Sequence, residues 1–371
     1  MSIEFSLPTK ILLDQDCVKK NAALLKNFGK KALIVTGRRS AKMNGSLQDV
    51  IEALRSQKLD FVIYDHVDNN PSIDNVRDGS VFAKKNKVDF IIGIGGGSPM
   101  DASKAIALLA CQNLTDEALF TGPYIDKVLP LVLLPTTAGT GSEVTQYSIL
   151  TNDHAQSKTS IATPLIFPKL ALVDPRYTRH LPLRTTINTA IDALSHAIES
   201  DLSKKANALT KLIAEESIRR IALNFKFLLR GELGDKVREE LIYASTLAGI
   251  AIAHTGTTAV HSMGYSLTYF KHIDHGRANG LLLASFLAFV AQKDGASVDR
   301  LLSLMKVQNL KEFRLILAQL LGEKEKIADE EFKKYAEIAI KAKNISNCTI
   351  IPVEEDLYGM YRESFNEQVC L

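Results

Sequence analysis

Between residues 31 and 175 the chain alternates between two kinds of segment. Short apolar runs end in glycine, proline or aspartate, and stretches with helical periodicity separate them. The runs are KALIVTG (31–37), DFVIYDHV (60–67), DFIIGIGGG (89–97), LPLVLLPTTAGTGSE (129–143) and KLALVDP (169–175). Most lack the polar–apolar alternation of a strand with one wet face, so they read as strands buried on both sides. Residues 45–58, 73–87 and 98–112 carry the helical period, the last with Pro99 near its first position. Strand alternating with helix predicts a mostly parallel sheet covered on both faces, an α/β fold. KILLD adds a short strand near the start, and NAALLKNFG (21–29) reads as a short helix closed by Gly29.

After Pro182 the alternation stops. TTINTAIDALSHAIESDL, LTKLIAEESIRRIALNFKFLL, KVREELIYASTLAGIAIAHTG and GLLLASFLAFVAQ are long, apolar at helical spacing and poor in β-branched runs. The charged stretch 322–344 alternates signs at the same spacing and reads as a solvated helix. At 371 residues the chain exceeds the size at which one core stops growing. The expected organisation is an α/β domain over 1–182 and an all-helical domain over 183–371, with no internal repeat.

Composition removes several classes of function. A net charge of +3 is too small to argue for nucleic acid or an anionic membrane surface. The first residues, MSIEFSLPTKILLDQD, show neither the basic start nor the apolar run of a signal peptide. No uninterrupted apolar run is long enough to span a membrane. Cys17, Cys111, Cys348 and Cys370 have no C-x-x-C spacing, so they offer neither zinc knuckle nor redox motif. Scattered thiols suit the cytoplasm.

Two loops point to a nucleotide. GIGGGSPMD (93–101) joins a strand to a helix, and its glycines remove the β-carbons that would keep a phosphate from the backbone. The helix that follows offers unpaired N–H groups and a positive dipole end. Ser98 can add a hydroxyl, and Asp101 falls in the first turn. This is not G-x-G-x-x-G, because the third glycine comes too early. A second loop, PTTAGTGSEVT (135–145), also follows a strand. Two such loops at the carboxyl ends of parallel strands sit where open α/β sheets bind ligands, here a dinucleotide. A third strand end, VTGRRS (35–40), places Gly37, Arg38, Arg39 and Ser40 where an acidic residue usually takes the adenosine ribose hydroxyl. Guanidinium groups pair bidentately with phosphate, which predicts NADP in preference to NAD.

In the helical half, Asp192 and His196 stand four apart, on one face of a helix and one turn from each other. A carboxylate and an imidazole presented together can hold a divalent ion. His261 and His275 can close that site from a second helix and the loop after it.

Taken in order, GGGSPMD (95–101), LPTTAGTGSEVT (134–145), LVDP (172–175), DALSH (192–196), and His261 with His275 in HGRANG, resemble the iron-containing (group III) alcohol dehydrogenases. The match runs through nearly the whole chain. It implies a dehydroquinate synthase-like architecture, an N-terminal nucleotide domain and a helical C-terminal domain, with the active site in the cleft between them. It also implies that Asp192, His196, His261 and His275 ligate Fe²⁺, with Zn²⁺ as the other candidate. Gly95, Gly96, Gly97, Ser98 and Asp101 would hold the pyrophosphate. Thr136, Thr137, Thr140 and Ser142 would line the nicotinamide side, and Asn70 and Lys158 would touch cofactor. The implied reaction is hydride transfer between a nicotinamide and a small primary alcohol or diol, or its aldehyde in reverse. Apart from the resemblance, the N-terminal edge strand predicts a homodimer.

Three positions depart from the family pattern. Tyr265 replaces a further active-site histidine of some relatives, Asp14 replaces a glycine after the first strand, and Asn347-Cys348 replaces an Asn-Pro. Tyr265 is then a pocket-shaping residue or hydrogen-bond donor. His272 is a surface residue or a member of a proton path. A glycerol dehydrogenase-like zinc enzyme, a dehydroquinate synthase-like lyase and a catalytically silent nucleotide-binding protein are the alternatives.

Overall fold

A computed structural model describes residues 3–365. It divides into two compact units, Ser6–Leu181 and the described chain from Pro182 on, the latter joined by residues 3–5.

In the first unit the described residues form one six-stranded sheet. Its strands are β1 (Lys10–Leu13), β2 (Lys31–Gly37), β3 (Asp60–Val67), β4 (Phe90–Gly95), β5 (Leu131–Pro135) and, last in the chain, Leu170–Val173. A separate antiparallel hairpin lies between these last two in sequence. It pairs β6 (Tyr147–Asn152) with β7 (Ser157–Ala162), so Leu170–Val173 is β8. The sheet order is β1-β8-β5-β4-β2-β3, and every neighbouring pair is parallel. Why the runs lack polar alternation is visible in the packing. Leu33, Val35, Ile91, Leu131 and Leu133 enter one core, while Ala32, Ile34, Phe90, Ile92, Val132 and Leu134 enter the other. Successive side chains leave opposite faces, and both faces are dry. Burying each Leu, Ile or Val contributes about 1.5–3 kcal/mol.

The chain leaves β2 toward β3 on one side and leaves β4 toward β5 on the other. The gap between β2 and β4 is therefore the switch point at which sheets of this kind bind ligands. The 37–40 loop and the glycine loop leave the two strands that flank it.

Helices span Ser46–Ser56, Ile73–Asn86 and Gly97–Cys111, close to the sequence expectation. Residues 21–29 differ. They form a 3₁₀ segment over Ala22–Asn27, and Gly29 adopts φ +149° beside Asp89, whose side chain a Cβ at Gly29 would strike at 2.2 Å. Asp89 Oδ2 accepts from the Lys30 and Lys31 amides at 2.7 and 2.9 Å, and this tie to a distant loop outweighs local helix preference.

The second unit is helical. Its central members are Leu183–Asp201, Ala208–Leu223, Asp235–Thr255, Ala259–Lys271 and His275–Ala291. The run 209–229 breaks at Asn224 into Ala208–Leu223 and Phe225–Arg230. The charged stretch is α-helical only over Asp329–Ala339, where Asp329, Glu330 and Glu331 suit the positive end of the dipole, and it ends in a 3₁₀ segment that begins at Lys343. No described helix is long and apolar enough to cross a membrane.

Candidate metal centre and nucleotide loops

Asp192 and His196 are buried on the Leu183–Asp201 helix. His261 lies in the first turn of Ala259–Lys271. His275 is not in a loop; it is the first residue of His275–Ala291, after the flanking Asp274. The next residue explains the close approach. A Cβ on Gly276 would sit 2.0 Å from the Asn188 carbonyl oxygen and 2.8 Å from the Asp192 Cβ. Only glycine lets that helix begin against the helix that carries Asp192.

Asp192, His261 and His275 each offer one ligand atom, and the three atoms lie within 4.8 Å of one another. Asp192 Oδ1 is 3.8 Å from His261 Nε2 and 3.9 Å from His275 Nε2. An ion bonded at about 2.0–2.2 Å to each atom spans such separations. His196 is outside that set but stacks on His261, with ring centroids 4.4 Å apart. Mixed oxygen and nitrogen donors without thiolate suit Fe²⁺ and also Zn²⁺. Three neutral imidazoles and one carboxylate leave a 2+ ion with about one positive charge. These residues fit a divalent cation.

Behind the candidate ligands stands a residue the sequence reading missed. Glu199, fully buried, accepts from the Thr258 amide at 2.8 Å, the Thr258 hydroxyl at 2.7 Å and the His261 amide at 3.3 Å. Its second oxygen pairs with His261 Nδ1. That bond places the ring proton on Nδ1 and leaves the Nε2 lone pair facing inward, as a metal-bound histidine requires. The signal was available: Asp192, His196 and Glu199 fall at i, i+4 and i+7 on one helix face.

Charge is balanced inside the cluster. Burial opposes the charged form of Asp192, but His196, His275, His261 and the Asn279 amide outweigh it and hold its carboxyl below the ordinary value. Burial likewise opposes Glu199, and His261 and Thr258 bring it below its usual range. Burial opposes protonation of His261, yet Glu199 and Asp192 raise it above its ordinary value. Without an ion the ring holds its proton more firmly, so proton and metal compete for it.

Tyr265 is buried and stacks on His275 at a centroid distance of 5.6 Å, while presenting its edge to His261 at 6.4 Å. It lies against two candidate ligand rings. His272 is exposed, with φ +54° at the end of its helix, which agrees with a surface residue.

In the first unit the glycines serve packing as well as conformation. Gly95 has φ +154°, and a Cβ there would meet Pro99 at 2.5 Å. A Cβ on Gly96 or Gly97 would meet Thr137 Oγ1 at 3.1 Å or Thr140 Cγ2 at 2.8 Å. The missing side chains thus let the second loop lie on the first. Gly96 precedes the Gly97–Cys111 helix, whose first turn receives no side-chain cap, so its N–H groups can meet an anion.

Ser98 accepts from the Asn70 amide at 3.1 Å, and Asn70 pairs through Oδ1 with Lys158. These three expected cofactor residues are brought together. Lys158 stands on β7, in the hairpin the sequence reading left undescribed. The pattern YSILTN–DHAQ–SKTSIA was readable as two strands about a polar turn. Arg38 is exposed and pairs with Asp68 at 3.2 Å.

Asp101 and Ser142 are placed differently from the expected phosphate and nicotinamide contacts. Asp101 is buried; its Oδ1 accepts from Ser142 Oγ at 2.6 Å and its Oδ2 from the Ile149 amide at 3.0 Å. A carboxylate turned inward braces the helix against the second loop. Lys104, fully buried, completes the brace by donating to Ser142 Oγ, Thr145 Oγ1 and the Tyr147 carbonyl at 2.8, 3.1 and 2.7 Å. Burial brings its ammonium down to about 8 and pushes the Asp101 carboxyl up.

A cluster of candidate metal ligands in one unit and a Gly-rich parallel sheet in the other accompany membership of a family of metal-dependent oxidoreductases of alcohols and aldehydes. The chain belongs to the iron-containing alcohol dehydrogenase family: the family's profile, "Iron-containing alcohol dehydrogenase", matches residues 8–175, and that for its C-terminal part matches 186–365. A 1,3-propanediol dehydrogenase of Klebsiella pneumoniae is 31% identical over 91% of this chain and 92% of its own. That of Citrobacter freundii is 38% identical over 69% of this chain and 66% of its own. Among solved structures, an iron-containing alcohol dehydrogenase from Thermotoga maritima superposes with a TM-score of 0.91 at 37% identity, covering 98% of this chain and 99% of that one.

Proposed function

We propose that Asp192, His196, His261 and His275 hold a single divalent ion, Fe²⁺ in preference to Zn²⁺. The reaction would transfer hydride between NADP and a small primary alcohol or diol, or its aldehyde in reverse. The observation that carries this reading is the convergence of Asp192, His261 and His275, with Glu199 behind His261. A bound ion supplies Lewis acidity to the substrate oxygen, and the nicotinamide ring exchanges the hydride. The chain's own residues supply position and charge. Glu199 fixes the tautomer of His261. Tyr265 limits how His261 and His275 turn. Gly95, Gly96, Gly97 and Ser98, with the uncapped helix start, receive the pyrophosphate. Thr136, Thr137 and Thr140 line the loop beside them, and Asn70 and Lys158 close over it. Asp101 and Ser142 act by bracing that loop. The expected test result is one equivalent of metal per chain and turnover of primary alcohols or diols after anaerobic loading with Fe²⁺. Wild-type turnover in protein shown by elemental analysis to lack metal would sink the reading.

Arg38 and Arg39, with Gly37 and Ser40, support NADP over NAD. Asp68 holds Arg38 at the strand end without neutralising Arg39. A ratio of kcat/KM for NADPH over NADH at or below unity removes this preference. A homodimer in the cytoplasm completes the proposal. β1 is an open edge of the sheet, and Cys17, Cys111 and Cys348 are free thiols. Light scattering of the eluted protein tests the dimer.

A further inference from the structure

Asn279 follows His275 by one helical turn and is completely buried. Its Nδ2 lies 2.9 Å from Asp192 Oδ1, 3.1 Å from His261 Nε2 and 3.2 Å from His275 Nε2. These are the three atoms that converge as metal ligands. An amide nitrogen carries two hydrogens, so three acceptors share them. It is the nitrogen, not the oxygen, that faces them, because Asp192 Oδ1, the nearest of the three at 2.9 Å, offers only lone pairs and would repel the amide oxygen. The other end of the amide is unsatisfied: Oδ1 is buried and has no hydrogen-bond partner. Room for it comes from Gly264, where a Cβ would stand 2.1 Å from that oxygen. Gly264 lies three residues after His261, on the same helix face.

A buried orphan oxygen is costly, and a glycine in mid-helix is costly too. Both are tolerated to put a neutral donor where the Asp192 carboxylate and the two imidazoles meet. We propose that Asn279 is a positioning residue that stands in for the cation: in metal-free protein its amide holds Asp192, His261 and His275 together, so the site is formed before an ion arrives. This rests on the metal reading above. A carboxylate and two imidazoles left without a donor would turn apart, and metal binding would then have to reassemble them.

The test uses full-length protein stripped by chelation and titrated with Co²⁺, with the cobalt d–d absorption as readout. Asn279→Leu keeps the bulk and removes the donor. Gly264→Ala leaves every donor in place but pushes the amide. Both are expected to weaken cobalt binding about tenfold or more. Both are also expected to lower the melting temperature of metal-free protein more than that of loaded protein. Asn279→Asp, which can neither donate as an anion nor sit easily beside Asp192, should lower the metal-free melting temperature most. If Asn279→Leu does not fold, Gly264→Ala carries the comparison. Wild-type protein that takes up no cobalt overturns the metal reading and this inference with it. Wild type that binds cobalt while the variants match its affinity, and lose equal stability in both states, overturns this inference alone.

Discussion

In the helical unit, every candidate contact to an ion is a side chain, and each has another side chain behind or beside it. Glu199 fixes His261, the Asn279 amide spans three ligand atoms, and Gly276 lets His275 approach Asp192. In the α/β unit, the candidate contacts to the pyrophosphate are mainly backbone N–H groups at a helix start, with the Ser98 hydroxyl beside them. The side chains nearby, Thr137, Thr140, Asp101, Ser142 and Lys104, shape the loop that presents them. The difference predicts how each region fails. Where side chains carry the charge, one substitution should remove the function outright. Where backbone carries it, substitutions should act through packing, in smaller steps.

The largest effect should come from His261→Ala. It removes a proposed ligand and leaves the Glu199 oxygen that faces it buried without its partner, so metal retention and turnover should fall together. A Lewis acid worth several kcal/mol of barrier implies a loss in kcat/KM of about a thousandfold. Elemental analysis beside kinetics checks it, and a metal-free variant with wild-type turnover would break the contrast between the units. Next is Glu199→Gln, which keeps the shape but loses the charge on His261. Metal affinity should drop about 10–100-fold. Acidification should act in the same direction on wild type. Glu199 and Asp192 raise the His261 pKa, so protons displace metal as the pH falls through that raised value. An unchanged dissociation constant between neutral and mildly acidic pH would argue against His261 as a ligand.

Lys104 gives the corresponding test for the α/β unit. Its ammonium sits at about 8 in the folded chain, below its ordinary 10.5. The unfolded state therefore binds more protons between these values, and stability should rise with pH across that window, by at most about 3 kcal/mol. Below the lower value the penalty is fully present and flat. Lys104→Met should lose the rise. Urea midpoints from pH 8 to 10 measure it, and parallel curves for both proteins would mean the lysine is better solvated than its burial implies.

How far the sequence alone reached follows the same division. The parallel sheet was legible because both faces of its strands are dry, so Leu33 and Ile34 sit side by side as one apolar run. Asp192 and His196 were legible because helical spacing brings i and i+4 together. The hairpin β6–β7 was missed because its strands are half-exposed, with Ser and Thr where a core strand has Val and Ile. Asn279 and Gly264 were missed for a different reason. Their meaning depends on a contact between two helices, and neither residue type signals it locally. The glycines of the phosphate loop were read as open space for a ligand. Much of that space is taken by Thr137 and Thr140, a contact 40-odd residues away that no local pattern announces.

That last point yields the smallest and sharpest test. If Gly97 is glycine only to admit a phosphate, Gly97→Ala should harm cofactor binding and leave the empty protein stable. The packing argues otherwise, because the new Cβ would stand 2.8 Å from Thr140 Cγ2, and 3.4 Å from both Thr140 Cβ and Oγ1. Gly97→Ala should then destabilise the cofactor-free protein by about 1–2 kcal/mol through overpacking. Thr140→Ser removes the Cγ2 methyl and keeps the hydroxyl, so the double variant should recover most of that loss. Residues in contact couple by about 0.5–3 kcal/mol, within reach of a double-mutant cycle on urea midpoints. Additive effects would return Gly97 to the phosphate alone. A coupled recovery in the absence of cofactor, with weaker NADP binding persisting in the double variant, would assign the residue both tasks.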